Sequence, residues 1–307
     1  MRPLVPPPVL VLLLPSLLAC APAAGDAPSS SDSGGELVAD GGGSPSSDAA
    51  DDAGPDAGDD SSQGSGGLSC TSQGSLPGDR TYCVASIGGS ELKLAEPAGG
   101  AGPLRVAVYV HGDGAAAYKS DSAMKALLPW ADAHHALVLS VLSPNGCAWW
   151  QAPTQTDCSQ GATSVADVEG VNADALRLVL EAVRAGYDVS NGPIFYYGSS
   201  GGSIFLTRSF LRRFGDRFPG AFALNCGGEK PNRDFAWDVS DPAKRSSTRL
   251  SYTYGDQDFL KSDIEAAIPY FEGLGFASES KVIPNAGHCE FNGHGRAVEV
   301  WQQYLGE

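Results

Sequence analysis

The sequence is poor in positive charge, in histidine and in long apolar runs. Its 307 residues include 20 lysines and arginines against 36 aspartates and glutamates, which gives a formal net charge of −16. Residues 21–68 hold ten of the acidic residues and no lysine or arginine. Because phosphate binding requires clustered positive charge, this balance argues against nucleic acid as a partner. No segment after residue 20 is apolar and long enough to span a bilayer, so we expect no transmembrane helix.

The first 19 residues have the pattern of an export signal. Arg2 supplies a positive start, and the apolar core from Val9 to Leu18 is shorter than a membrane span. The segment ends in Leu-Leu-Ala-Cys, which resembles a bacterial lipobox. That resemblance implies cleavage before Cys20 and a lipid anchor on its sulfur. The alternative is ordinary secretion with Cys20 discarded or free. We therefore expect an exported protein, lipid-anchored at the outer membrane or cell surface or else secreted.

Residues 20–68 have the composition of a linker. After Cys20 they contain Ala, Gly, Ser, Asp and Pro, with only Leu37, Val38 and Leu68 as larger apolar residues. Such a chain cannot bury enough apolar surface to offset the entropy of ordering, so we predict disorder. The acidic run between Asp48 and Asp60 has spacings that match no calcium loop. A self-repelling tether is the better interpretation.

Six cysteines remain beyond Cys20, and this number fits an oxidising, exported location. Sequence alone permits about fifteen pairings. Local separations favour the disulfides Cys70–Cys83 and Cys147–Cys158, which leaves Cys226 with Cys289. For that third pair a reactive Cys289 is the alternative. The cysteine spacings are not those of a zinc site, so we expect no metal and no cofactor.

From Cys70 onward, strand-like and helix-like segments alternate. We expect strands at Arg80–Ser86, Glu91–Leu94, Leu104–Val110, Ala136–Leu142, Pro193–Tyr197, Ala221–Asn225, Arg249–Tyr254 and Ser280–Ile283, and helices at about Ser120–His135, Ser164–Ala185, Ile204–Phe214, Ser262–Leu274 and Gly295–Tyr304. The first two strands should form an antiparallel pair. Strands that alternate with helices of this length predict an α/β fold, with a mostly parallel sheet covered on both faces. We assign it to one domain over residues 69–307.

One short stretch combines the end of a strand, a glycine turn and the start of a helix. Gly198, Ser200 and Gly202 follow the strand and match G-x-S-x-G, the pattern of a nucleophile elbow. A serine on such a turn is held in a strained backbone conformation, and glycine at the flanking positions avoids clashes with the neighbouring strand and helix. The turn also places the Gly201 N–H at a helix N-terminus, where it can stabilise an oxyanion. Ser200 is therefore a candidate nucleophile, and an ordinary Gly/Ser-rich loop is the alternative.

A serine nucleophile needs a base, normally a histidine that a carboxylate orients. Asp256 and Asp258 follow the strand that ends at Tyr254, and His288 follows the last strand. The order Ser, Asp, His at the ends of successive strands is that of the α/β-hydrolases. Residues from about 80 to 307 resemble such a domain. His111-Gly112 and the Asp-Val-Ser-Asn-Gly-Pro run before the elbow are similar to the extracellular esterase group that includes polyhydroxybutyrate depolymerases and feruloyl or acetylxylan esterases.

The resemblance implies a role for each member of this constellation. Ser200 would be the nucleophile, His288 the general base and Asp258 the carboxylate that orients it. The family's spacing after the strand favours Asp258, whereas Asp256 would cap the turn.

The resemblance also implies how an oxyanion would be bound. The N–H groups of Gly201 and Asp113 would form the oxyanion hole, and His111 would anchor the loop that carries Asp113. Relatives usually carry other residues in place of Asp113, and we expect its carboxylate to face away from the site. Trp149 and Trp150 either wall a substrate pocket or cover the core beside Cys147.

The function implied is hydrolysis of carboxylic esters, small or polymer-borne, through an acyl-enzyme on Ser200. Little chain lies between Cys226 and Arg249, so we expect no large lid. We expect a monomer whose other contact is with the membrane, through lipid on Cys20. The same fold and triad would also serve a serine peptidase or an acyltransferase. A surface binding protein on an inactive hydrolase scaffold is the alternative from another class.

Overall fold

A computed structural model describes residues 67–156, 158, 165–231 and 241–307. The expected signal peptide, Cys20 and residues 20–66 of the expected linker lie outside the described residues. Among the helices that are described, none combines the length and the apolar character that crossing a bilayer requires.

The described residues form a single nine-stranded sheet. Its strands are β1 (Ser72–Leu76), β2 (Arg80–Ile87), β3 (Ser90–Ala95), β4 (Leu104–Val110), β5 (Ala136–Val141), β6 (Val189–Ser199), β7 (Gly220–Asn225), β8 (Arg249–Gly255) and β9 (Ala277–Ile283). They lie in the spatial order β1-β2-β3-β5-β4-β6-β7-β8-β9. Antiparallel pairing joins β1, β2, β3 and β5, and every other pair of neighbours is parallel. The sheet is therefore mostly parallel with an antiparallel edge.

Helices cover both faces of this sheet. They are α1 (Ala116–Lys119), α2 (Ser122–His134), α3 (Val171–Gly186), α4 (Gly201–Phe205), α5 (Leu211–Phe214), α6 (Pro242–Ser246), α7 (Lys261–Gly273) and α8 (Gly293–Leu305), with a π-helical turn at Leu206–Phe210 between α4 and α5. Helices α2 and α8 pack on one face, and α3, α5 and α7 pack on the other. This arrangement confirms the predicted α/β fold.

Strand β6 shows why the sheet is apolar on both sides. Its residues alternate between the two cores: Tyr196 stacks on Phe222 with ring centroids 4.1 Å apart, and Phe195 packs against Trp301 from α8 at 5.9 Å. All four side chains are fully buried. Because helices cover both faces, the strand reads as a continuous apolar run rather than an alternating one. Strand β6 ends at Ser199, so this buried strand places Ser200 at the edge of the sheet.

Helix α3 begins later than the sequence predicts. It starts at Val171 instead of Ser164, since Gly170 has a φ of +73° that breaks the helical path. The Asp167 carboxylate accepts hydrogen bonds from the N–H groups of Gly170, Val171 and Asn172, at 2.8–3.1 Å. Ala166 instead pairs with Gln151 in an isolated bridge. Residues 165–170 therefore belong to a loop, which pairs with the segment around Gln151 that follows β5.

Two other elements differ from the prediction at the edges of the sheet. The polar strand β1 was not anticipated, and it pairs with β2 over its whole length. Strand β9 begins at Ala277, three residues earlier than predicted, and most of its side chains are exposed or half-buried. Both are edge strands, which lack the apolar pattern that marks a buried strand.

Disulfides join Cys70 to Cys83, Cys147 to Cys158 and Cys226 to Cys289 among the described residues. The first fixes the chain before β1 to β2. The third connects the residue after β7 to the loop that follows β9, and that loop carries His288. It therefore ties two neighbouring strand ends together next to the candidate base.

Candidate active site

The candidate residues meet where the order of the strands reverses. Strand β4 has β5 on one side and β6 on the other, and it runs parallel to both. Loops that leave the carboxyl ends of such strands open a crevice at this point, which is where α/β sheets commonly bind ligands. The loop after β4 carries Asp113, and the turn after β6 carries Ser200. The loops after β8 and β9 bring Asp258 and His288 to the same edge.

Ser200 lies on a sharp turn between β6 and α4. Its backbone has φ +50° and ψ −119°, a conformation that residues other than glycine rarely adopt. Hydrogen bonds hold it there: the Ser200 N–H donates to the Asn225 carbonyl at 2.9 Å, and the Ser200 carbonyl accepts from Ser203 N–H at 2.8 Å. The turn places the half-buried hydroxyl above the sheet.

The glycines of this turn are required by close backbone approaches. A Cβ at Gly202 would overlap the Val110 carbonyl oxygen of β4, and a Cβ at Gly198 would lie 2.8 Å from the Ser203 nitrogen. Backbone atoms cannot move aside as the end of a side chain can. The spacing Gly-x-Ser-x-Gly is thus the steric condition for fitting this turn between β4 and α4.

Three side chains form a continuous hydrogen-bonded row. Ser200 Oγ lies 2.8 Å from His288 Nε2, and His288 Nδ1 lies 2.9 Å from Asp258 Oδ1. A carboxylate can only accept, so Nδ1 carries the proton and Nε2 is free to accept from the Ser200 hydroxyl. The Asp258 side chain is 0% exposed and that of His288 is 24% exposed. The row therefore runs from a buried charge to a hydroxyl that a ligand can reach.

Asp258, and not Asp256, is the carboxylate that contacts His288. Its Oδ1 also accepts the Leu260 N–H at 2.9 Å, which fixes the orientation of the carboxylate. Asp256 is exposed, and its own N–H donates to the Ile283 carbonyl at 3.0 Å.

Phe259 is a site residue that sequence reasoning missed. Its ring packs on the His288 imidazole with centroids 4.4 Å apart, and the residue is 73% exposed. A large apolar side chain so exposed, directly after Asp258, shields one face of the imidazole from water. The signal in the sequence was an aromatic residue in a loop that already carries the acid.

The Cys226–Cys289 disulfide holds the His288 loop. Both cysteines have positive φ, +44° and +59°, and the Gly287 N–H donates to Glu290 Oε2 at 2.9 Å. A ring nitrogen of His288 and the two sulfurs all lie within 4.8 Å of one another, a spacing that a metal site would need. Sulfurs joined to each other cannot act as thiolate ligands, and the disulfide instead connects the loop of His288 to the residue after β7.

His111 anchors the loop after β4. The Ser143 N–H donates to its Nε2 at 3.0 Å, so Nδ1 carries the proton and donates to the Gly112 carbonyl at 2.7 Å. Burial lowers the pKa of His111 to about 4, and the ring is neutral at neutral pH. Gly112 packs against the elbow, where a Cβ would lie 3.0 Å from the Ser199 carbonyl oxygen. A neutral, buried histidine thus fixes the loop beside Ser200.

The N–H groups of Gly201 and Asp113 lie on the two segments that flank Ser200. Gly201 is the first residue of α4, and the first N–H groups of a helix have no partner within it. In the turn at Asp113–Ala115 the Gly114 N–H donates to the Cys147 carbonyl at 2.8 Å, and the Ala115 N–H donates to the Gly112 carbonyl at 3.1 Å. Those two bonds hold the turn in place.

The Asp113 carboxylate does not face away from the site, which corrects the expectation. A Cβ added at Gly201 would overlap Asp113 Oδ1, so this oxygen packs directly on the glycine. Trp150 Nε1–H donates to both carboxylate oxygens, at 3.0 and 3.1 Å, and draws the group inward. Desolvation raises the pKa of Asp113, while the bond from Trp150 and the proximity of His288 act in the opposite direction.

The two neighbouring tryptophans have different surroundings. Trp149 is 0% exposed and packs on Phe205 at 4.8 Å and on His111 at 5.9 Å, so it belongs to the core and does not wall a pocket. Of the two interpretations, Trp149 fits the one in which it covers the core. Trp150 is half-buried and borders Gly201, where a Cβ would lie 3.0 Å from its Cδ1.

A cavity of about 250 Å³ lies next to the elbow. Its lining includes Ser199, Tyr197, Asn225, Phe291 and His294. The His294 ring stands edge-on to Tyr197 with centroids 5.6 Å apart, and desolvation lowers its pKa. His294 is therefore a half-buried ring in the wall of this cavity.

Comparison with protein-family models finds no match, and no curated protein matches the sequence. Several solved structures are similar to this chain. A thermostable esterase has 14% identity and a TM-score of 0.52, with 73% of this chain and 61% of that chain covered. A mutant form of an esterase has 15% identity and a TM-score of 0.51, with coverage of 75% and 86%. Poly(aspartic acid) hydrolase-1 from Sphingomonas sp. KT-1 has 15% identity and a TM-score of 0.50, with coverage of 75% and 100%.

These similarities define the fold of the chain. The protein has the α/β-hydrolase fold, with the Ser200, His288 and Asp258 side chains in hydrogen-bonded contact at the carboxyl edge of its sheet. The alignment spans 61% of the length of the thermostable esterase.

Proposed function

We propose that this protein is a serine hydrolase that cleaves carboxylic esters through an acyl-enzyme on Ser200. The observation that carries the proposal is the row from Ser200 Oγ to His288 to Asp258, with contacts of 2.8 and 2.9 Å. A hydroxyl at neutral pH needs such a base to become a nucleophile. The strained elbow and the anchored loop beside it support the same function, because both prepare a place for an oxyanion.

The first half of the reaction acylates the serine. Ser200 Oγ attacks the ester carbonyl carbon while His288 Nε2 accepts the hydroxyl proton. The negative charge on the tetrahedral oxygen is stabilised by the N–H groups of Gly201 and Asp113. The C–O bond to the alcohol then breaks, and His288 returns its proton to the leaving oxygen. Asp258 stabilises the imidazolium that forms in between.

The second half releases the acid. Water loses a proton to His288 Nε2 and attacks the acyl carbon, and the same N–H groups bind the second oxyanion. The bond to Ser200 Oγ breaks as His288 returns the proton to it. The net change is one ester bond hydrolysed by one water, with no cofactor required.

The proposal extends to where the protein acts. Its disulfides are compatible with an oxidising, exported location. We propose that residues 20–68 tether the domain over residues 69–307 to lipid on Cys20, where it acts on small or polymer-borne esters. Radioactive palmitate should label the wild-type protein in cells and should not label the variant Cys20→Ser. Equal labelling of the two would refute the anchor and leave the esterase proposal intact.

The catalytic part of the proposal is tested by substrate hydrolysis. The disulfide-intact protein should hydrolyse p-nitrophenyl acetate, and Ser200→Ala should abolish this, whereas Ser199→Ala, in the same turn, should retain it. Peptide p-nitroanilides in the same panel test the peptidase alternative, and acetyl transfer to added alcohols tests the acyltransferase. Failure of the folded protein to turn over any of these substrates would favour an inactive scaffold.

A further inference from the structure

Asp113 places a carboxylate where an ester hydrolase has no evident use for one. The residue is exposed, and its Oδ1 packs on Gly201, whose N–H is one of the two proposed oxyanion donors. A negative charge at this position would raise the energy of a developing oxyanion. An inward-facing carboxylate is therefore unfavourable for ester hydrolysis unless another group compensates its charge.

The carboxylate is held firmly but is not neutralised. Trp150 Nε1–H is shared between its two oxygens, and a carboxylate offers about four acceptor positions, so this contact uses only part of its acceptor capacity. Lys119 is the cation nearest along the chain, and its Nζ donates instead to the Gly114 carbonyl at 3.0 Å. Among the ion pairs of the described residues, none includes Asp113. An acceptor with spare capacity thus faces the cleft.

A cationic group on the substrate would resolve both features. An ammonium would fill the free acceptor positions of Asp113 and cancel the charge that opposes the oxyanion. The leaving oxygen of the ester must face His288 Nε2, which returns a proton to it. Asp113 instead packs on Gly201, beside the proposed oxyanion donor, and this position suits a group on the acyl part.

We propose that Asp113 and Trp150 form a subsite for an ammonium carried by the acyl group, one or two carbons from the scissile carbonyl. This inference rests on the proposed esterase function. Trp150 holds and orients the carboxylate, and Asp113 accepts from the ammonium. The substrate class is then that of amino-acid-like esters, which a neutral acyl pocket would not distinguish from their hydrocarbon analogues.

The test is a charge series at constant chain length. Ethyl β-alaninate, ethyl butyrate and monoethyl succinate present a cation, a neutral chain and an anion. We expect the wild type to favour the β-alaninate over the butyrate by about tenfold to a hundredfold in kcat/KM, the range of a charged hydrogen bond, and to disfavour the succinate. Asp113→Asn keeps an acceptor for Trp150 and should remove most of this preference. Asp256→Asn removes one charge from the loop after β8 and should retain the preference.

The outcomes separate this inference from the proposed function. If ethyl butyrate is hydrolysed and the wild type and Asp113→Asn share one β-alaninate-to-butyrate ratio, the subsite is refuted and the esterase stands. An Asp113-dependent preference for acetylcholine over 3,3-dimethylbutyl acetate, without one for β-alaninate, would refute its acyl-side position. If no ester is cleaved and no fluorophosphonate labels Ser200, the proposed function fails first.

Discussion

Removal of the Cys226–Cys289 disulfide should impair both stability and the reactivity of Ser200. The bond closes a segment with a sequence separation of 63 and lies directly beside His288. In the chain-entropy model, a loop of this length corresponds to about 4 kcal/mol of the free energy of unfolding. The matched control is Cys70–Cys83, with a separation of 13, for which the same model gives about 3 kcal/mol.

The two double variants should differ in chemistry far more than in stability. In Cys226→Ala/Cys289→Ala, the His288 loop loses its tie to β7, and the two positive-φ residues that shaped it lose their constraint. The Ser200–His288 contact should then be sampled only part of the time. We expect the rate of fluorophosphonate labelling to fall at least about tenfold, since small displacements of catalytic groups are costly. In Cys70→Ala/Cys83→Ala the labelling rate should stay close to that of the wild type.

Urea unfolding gives the stability of each variant, and labelling kinetics at a temperature where both remain folded give the reactivity. Equal labelling rates for the two folded double variants would show that the disulfide does not position His288. A loss of less than about 1 kcal/mol for Cys226→Ala/Cys289→Ala would refute the loop-closure estimate.

Three further predictions concern single residues. Asp258→Asn should lower kcat for ester hydrolysis by about 10⁴-fold while Asp256→Asn has little effect, because only Asp258 contacts His288. Similar kinetics for the two variants would show that the assignment of Asp258 as the carboxylate that orients His288 is wrong. The folded-state pKa of His111, about 4, lies below its ordinary value of 6.5, so the unfolded chain takes up the proton first as pH falls. The contribution of neutral His111 to the free energy of unfolding should be complete above about pH 6.5 and should decline by about 3 kcal/mol as the pH falls toward 4. Urea midpoints of the wild type should show this decline, and those of His111→Asn should not. Lys93→Met should cost about 3 kcal/mol in urea unfolding, the low end for a buried ion pair, because the half-buried Asp121 carboxylate, 2.6 Å from Lys93 Nζ, then has no cation beside it. If Lys93→Met/Asp121→Asn is no more stable than Lys93→Met, the loss of stability does not come from the unpaired carboxylate.

The mostly parallel sheet and the placement of Ser200, Asp258 and His288 after its strands follow from patterns in the sequence. Strand β6 is apolar on both faces because helices cover both, and the glycines of its turn are imposed by nearby backbone atoms. Asp258 and His288 follow strands of the same parallel sheet, so topology alone brings them to one edge. Long-range geometry was predictable here because it was encoded in local periodicity and spacing.

Other features depend on contacts that no local pattern announces. Strand β1 is polar and pairs at an edge next to a disulfide, so hydrophobic periodicity does not mark it. The start of α3 is set by Gly170 and the cap from Asp167. The inward turn of Asp113 depends on a tryptophan N–H 37 residues away, and only the folded structure shows that pairing.

The central claim is that Ser200 is an activated nucleophile, and fluorophosphonate labelling tests it most directly. We expect one label per disulfide-intact molecule, attached to Ser200 in peptide mass spectra, retained in Ser199→Ala and absent in Ser200→Ala and His288→Ala. A folded wild-type protein that takes up no label, or a label that persists in folded Ser200→Ala, would contradict it.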